Sequence, residues 1–545
     1  MNCDFSFGDL KTDADWRELR VEMDKGDNSA VLANLLTTFK GGGARFVLEE
    51  TTYIDRDFSA AYASFYSTLY QMRPRYCRRF HFFASSLSEP LESQDPLEVA
   101  RALEAAAPFY LGFVILRPLV HAPVGNAVIA TRCVAAPGVE VSVRSKYPVH
   151  VLGAALIVEG VPVTEQDTRT GSCAQATIWT AGRHFHHQHS MPWFSVPDIT
   201  EAALKPTDSI LAKSLPAGSD YLTDDNMVRA LRAMGEHPVV YAKEGGQWEE
   251  PAARTVARYL DSGIPVIIGF NRGPGVGHAV VAVGTVMGSK VPKGTFADAH
   301  VADRITHLIV NDDQSGAYRR VRVAPHRKDS QSKDFTLNEA IFLMAPLPGK
   351  VFMKAEVAET LARDKVALVA RNRQDHITEG LEEADAAAWN VDPAFYATSP
   401  EKMIARTYLT HGWKYKHRIL RNAVPPELIE ELTFIHLPRY VWVTEFSLPD
   451  DLGDLDPCRR RIRGHVVIDA TGSRFEDSVL LTHVPGIIVT QSFDAALPGG
   501  EPITGLRVLL ADNPYYPKIR GMNDFTTCET PAPVAVNDVA DEAAA

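Results

Sequence analysis

Apolar and polar positions follow two periods along the chain, and the period changes from segment to segment. Phe58, Tyr62, Phe65 and Leu69 recur at helical spacing, which predicts a helix over 57–71. The apolar runs at 110–116 and 126–131 read as strands. GGGARF, from Gly41, is a loop; no Lys-Ser/Thr pair follows it, so it is no phosphate cradle. Residues 1–149 therefore read as an N-terminal mixed α/β region.

Helix and strand alternate over 150–346. Helices are predicted at 173–187, 224–234 and 251–261, the last two stopped by Gly235 and Gly263. The strand IPVIIGF (264–270), the loop NRGPGVG and the strand HAVVAVG (278–284) come next, then the strand THLIVN (306–311). The polar, Gly- and Pro-bearing stretch 286–304 reads as an inserted loop. A third region, 347–528, is also mixed. It holds a helix over 354–371, a second helix from Ser399-Pro400 to about Thr410, and strands near 440–446, 464–469 and 486–490. The tail, 529–545, has no apolar period and reads as disordered.

Composition narrows the function classes. The chain has 545 residues, 45% hydrophobic and 23% charged, with a net charge of -12. An acidic balance argues against a general nucleic-acid binder, whose phosphate contacts need a basic surface. The six cysteines fall in no C-x-x-C pair, so neither a disulfide framework nor a cysteine zinc knuckle is expected. The start MNCDFSFGDLKTDADW is acidic and is not read as a signal peptide, and no apolar run is long enough to span a bilayer. A reducing, cytoplasmic location with free thiols is the expectation.

One of those thiols sits in a suggestive place. In VTEQDTRTGSCAQATIWTAGRHF, Ala174, Ile178, Ala181 and Phe185 form a stripe on a helix that opens at Cys173. The unpaired amides and dipole of a helix N-terminus favour a thiolate, which predicts a lowered pKa for Cys173. Gly171 and Ser172 leave room for a substrate backbone. His278 opens a strand beside a glycine-rich loop and can serve as the base, while Asn311, Asp312 and Asp313 at the end of THLIVNDD can orient its imidazole.

This Cys, His, Asn/Asp order, with a G-H-x-V-V-x-x-G strand, resembles the papain-like cysteine peptidases, above all the bacterial double-glycine leader peptidases, over roughly residues 150–325. The resemblance implies an α+β papain-like core, a nucleophile helix packed on an antiparallel sheet, between two accessory regions. It also implies an oxyanion-hole glutamine upstream of the cysteine, here Gln166, although the spacing in papain itself falls on Asp167. Asn311 matches the papain-type third member and Asp312 the leader-peptidase type, with Asp312 slightly preferred. Cys-Ala stands where the family commonly has Cys-Gly.

The expected function is a cysteine-nucleophile hydrolase, a peptidase or isopeptidase, acting on a specific peptide or protein substrate without a cofactor. A non-catalytic binding module and a transamidase or acyltransferase on the same scaffold are the alternatives. The run RHFHHQH (His184, His186, His187, His189) lacks a complete ligand set, so it reads as the cationic end of the helix and no metal is expected. GFNRGPGVG opens a strand and not a helix, which excludes a dinucleotide fingerprint. The arginine runs at Arg73–Arg79 and Arg459–Arg463 read as solvated or acid-paired faces.

Overall fold

Antiparallel pairing dominates the molecule. The computed structural model describes residues 5–510, apart from 27–28, 71, 94, 168–171, 206–213, 216–217, 220–221, 274–275, 290–297, 325–334, 422–425, 453–460, 473–475 and 493–502. Their contacts form two compact units: the described residues of 1–295 with 301–351, and those of 296–300 with 352–545. The fold class is α+β. The predicted disordered tail lies outside the described residues.

The first unit holds two large sheets. One comprises β1 (Phe5–Asp9), β2 (Phe46–Tyr53), β3 (Cys77–Phe83), β4 (Tyr110–Leu116), β5 (Val124–Ala130), β7 (Ser145–Val151) and β8 (Ala154–Val163), in the order β1-β2-β3-β4-β5-β8-β7. Every residue of β4 is buried, as its unbroken apolar run predicts, whereas β7 alternates buried and exposed and so covers the core with one face. β7 spans the sequence boundary at 149/150, and β8, beyond it, is paired into this same sheet.

The other sheet carries the site. It contains β11 (Glu236–Ala242), β16 (Ala340–Pro348), β12 (Val266–Gly273), β13 (Val276–Met287), β14 (Ile305–Asp312) and β15 (Gly316–Arg322) in that order, with β6 (Val139–Val141) also paired to β13. The two-residue strands β9 (Ser214–Leu215) and β10 (Gly218–Ser219) pair separately. The Cys173–His189 helix packs against β13 and β8.

That helix is buried on more than its predicted stripe. Ala174, Ile178, Ala181 and Phe185 are buried, but so are Gln175, Trp179, Arg183 and His184. Its polar groups are therefore met by specific partners. The Trp179 indole donates to Asp57 at 3.0 Å, Arg183 pairs with the same carboxylate, and His184 meets the Ser145 hydroxyl at 2.8 Å. Burial pushes His184 down to about 3 and His187 down to about 4. Burial thus opposes a proton on these two rings, so they do not supply the positive charge expected of the helix end.

Two predicted helices are revised. The 57–71 segment is an α-helix only over Arg56–Ser64; Phe65 leaves helical geometry and a 3-10 turn, Tyr66–Thr68, follows. Ser399-Pro400 opens only the 3-10 turn Pro400–Lys402, and the chain continues as β17 (Ile404–His411). The run IARTYLT is rich in β-branched and aromatic residues and is fully buried, and that outweighs the cap signal. The second unit's sheet runs β17, β18 (Tyr440–Ser447), β19 (Gly464–Asp469), β20 (Val479–Val484), β21 (Ile487–Ser492) and β22 (Ile503–Val508), each paired to the next. The Ala355–Arg371 helix packs on it.

Candidate functional site: a cysteine, a histidine and two carboxyl groups

Cys173 is the first residue of its helix, after an extended Ser172. The Gln175 carboxamide reaches back and accepts from the Ser172 N–H (3.0 Å) and hydroxyl (2.5 Å), which fixes where the helix starts. The Cys173 side chain is half-buried, with Sγ 4.0 Å from the Gly277 carbonyl oxygen. It therefore lies against the backbone on either side of His278: the Ala279 N–H also hydrogen-bonds the sulfur.

The electrostatics of Cys173 differ from the sequence expectation. Burial pushes its thiol up to about 11, and the nearby Asp313 and Asp312 carboxyls add to the rise. The Ala279 and Ala174 N–H groups pull the other way without offsetting it. The predicted thiolate at a helix N-terminus is thus corrected. The resting sulfur carries its proton, because desolvation and two acidic neighbours outweigh the favourable amides.

Sheet register explains which strand-end residue reaches His278. β13 and β14 are antiparallel, with Val281 opposite Asn311. Asp312 then falls diagonally from His278 on the same face, and Asn311 falls on the opposite face. Accordingly, Asp312 Oδ1 is 3.2 Å from His278 Nε2. The Asn311 side chain instead donates to the Pro162 carbonyl (3.0 Å) and accepts from the Tyr318 N–H (3.0 Å), tying β14 to β8.

Asp312 is well supported. Its Oδ1 accepts from the Gln314 N–H (2.9 Å) and its Oδ2 from the Ser315 hydroxyl (2.6 Å). Burial alone raises its carboxyl, but His278, Ser315 and Gln314 together hold it below the usual carboxylate range. Asp313 is the opposite case. It is buried, neither carboxyl oxygen meets a hydrogen-bond donor among the described residues, and burial beside Asp312 pushes it well above the ordinary value.

Gln166 lies across a cavity of about 720 Å³ that Asp313, Asp167, Glu165, Tyr66 and Arg73 also line. Its N–H donates to the Asp313 carbonyl at 3.2 Å, and its side-chain oxygen accepts from Gln314 at 3.2 Å. Asp167, the alternative by papain spacing, accepts instead from the Tyr66 hydroxyl.

Cys173, His278, Asp312 and Gln166 all belong to one unit; Cys173 lies against the backbone beside His278, and Gln166 is bonded to Asp313 and Gln314, the two residues that follow Asp312. Gly171 lies outside the described residues. One neighbour was invisible in the sequence: the Phe335 ring stands edge-on to the His278 imidazole at 5.7 Å and against Phe270 at 4.3 Å. No local motif marks Phe335, which follows a long polar stretch. Asp313 was visible only as one of three strand-end candidates.

Neither a family model nor a curated protein matches the chain. Among solved structures, the peptidase domain of Streptococcus ComA, a bi-functional ABC transporter involved in quorum sensing, matches at 16% identity. The alignment covers 34% of this chain and 96% of that one, with a TM-score of 0.20.

Proposed function

We propose that this protein is a papain-like cysteine hydrolase that cleaves a peptide or isopeptide bond in a specific peptide or protein substrate by acyl transfer at Cys173. The observation that carries the reading is the juxtaposition of Cys173, on a helix end against the backbone flanking His278, with the His278–Asp312 pair at 3.2 Å.

Because the resting sulfur is a thiol, His278 acts as a general base during attack and not as half of a preformed ion pair. The thiol proton passes to the imidazole as sulfur bonds to the substrate carbonyl carbon. The resulting imidazolium offsets the two carboxyl groups that oppose a bare thiolate. Asp312 orients the ring. The Cys173 N–H and the Gln166 amide stabilise the oxyanion; the Gln166 carbonyl end is already engaged by Gln314, which leaves its N–H groups to donate. His278 then protonates the leaving amine, and water or another nucleophile releases the acyl group.

The test is incubation of the full chain with a diverse peptide mixture, followed by intact-mass measurement and peptide mapping. Cleaved peptides and an acyl adduct on Cys173 are expected. Both vanish in His278→Ala, fall about 10- to 100-fold in Asp312→Ala and persist in folded Asn311→Ala. Adduct with transfer to added amines and no hydrolysis would indicate a transferase. Intact peptides and no adduct would leave the binding-module reading.

A further inference from the structure

We propose that His278, Asp312 and Asp313 bind one divalent cation of the zinc class. Among the described residues, these three form the one group of histidine, cysteine and acidic side chains whose donor atoms all lie within 4.8 Å of one another. All three are buried, at 3%, 2% and 5% exposure. Two buried carboxyl groups side by side can both be charged only with a positive partner, and no Lys or Arg side chain pairs with either among the described residues.

Asp313 supplies the independent sign of a ligand. By hydrogen-bond geometry neither of its oxygens has a donor among the described residues, its carboxyl lying against that of Asp312, which is itself provided for by Gln314 and Ser315. Buried polar groups are ordinarily satisfied, and an orphaned carboxyl in a native site calls for a partner, of which a bound ion is one. Among the described residues the His278 ring nitrogens also lack an aligned hydrogen bond, even though Nε2 is 3.2 Å from Asp312 Oδ1. That separation is close to the ~3.3 Å edge of a tetrahedral zinc site with bonds of about 2.0–2.1 Å.

The surroundings fit as well. One imidazole with two carboxylates suits zinc or manganese and not a soft, thiolate-seeking metal. Gln314 and Ser315 hold Asp312 from outside, as supporting hydrogen bonds do around metal ligands. Asp313 lines the 720 Å³ cavity, which gives an ion a route in. The sequence expectation of no metal rested on the RHFHHQH run and the cysteine spacings, neither of which includes these residues.

A cation on Nε2 leaves the ring's one proton on Nδ1, so the imidazole has no free lone pair to serve as the proposed base, and bound metal would reversibly switch off acyl transfer. This consequence rests on the proposed function; binding itself does not.

Equilibrium dialysis of the full chain against zinc chloride, with elemental analysis, tests the site. One bound zinc per chain is expected. Asp313→Asn and His278→Gln each weaken it at least tenfold, whereas Cys173→Ser and the surface control Asp13→Asn retain it. Zinc should also raise the melting temperature of the wild type but not of Asp313→Asn, with circular dichroism confirming that each variant is folded. No stoichiometric zinc, or equal binding by all variants, overturns the proposal. The two readings separate cleanly: zinc dependent on Asp313 without any acyl adduct removes only the hydrolase, and an adduct without zinc binding removes only the cation site.

Discussion

Adjacent residues with similar chemistry can have separate roles when a strand places them on opposite faces. The sequence left Asn311 and Asp312 both open, with only a slight preference for Asp312, because either can orient an imidazole. The Val281↔Asn311 register turns Asp312 toward His278 and Asn311 toward β8. The protonation of Cys173 was not legible, since it depends on burial and on carboxyl groups about 140 residues away in the chain, and not on the helix end alone. Glu236 provides a measurable case of the same effect. Its carboxyl is buried on β11, Oε2 has no hydrogen bond among the described residues, and burial pushes it up to about 8 from 4.5. The fold favours the neutral form, while the unfolded chain ionises first. Stability is therefore intact below about pH 4.5 and is lost as pH rises toward 8. Glu236→Gln should be more stable than wild type by about 1–3 kcal/mol at pH 8, with the gap closing near pH 4. Thermal melts across that range check it; a gap that widens toward acid would contradict the assignment.

Elements with a strong period were readable, and those set by long-range pairing were less so. The helix opening at Cys173 and the strands carrying His278 and Asp312 lie where apolar runs, glycines and stripe spacing place them. The β17 segment was misread because a Ser-Pro start is local, whereas strand pairing with β18 is not. Close backbone approach was also hidden. Gly284, in β13, lies where β6 pairs antiparallel to it, and a Cβ there would stand 2.2 Å from the Glu140 carbonyl oxygen. Backbone cannot yield as a flexible side chain does. Gly284→Ala should destabilise the protein by about 1–3 kcal/mol. Because β13 also positions His278, it should slow acyl transfer as well. Denaturant melts that leave the midpoint unchanged would show that β6 adapts freely.

At the scale of the whole molecule, the chain forms two units, and every residue of the candidate site lies in the first. No helix among the described residues is long and apolar enough to cross a membrane. Three arginines of the two runs are acid-paired: Arg78 with Glu49 and Glu22, Arg79 with Glu50, and Arg463 with Asp451 and Asp392. The central claim is an activated cysteine whose base is His278. Alkylation by iodoacetamide near neutral pH, read by peptide mapping, tests it most directly. Burial pushes Cys77 up to about 12 and Cys133 up to about 11, and neither has the Cys173 environment beside His278, so both serve as internal references. Cys173 and Cys133 are both pushed up to about 11, so the expected faster labelling of Cys173 comes from His278 taking its proton during attack, and His278→Ala should slow it about 100-fold or more while the fold is retained. Labelling of Cys173 no faster than that of Cys133, at a rate indifferent to His278→Ala, would contradict it.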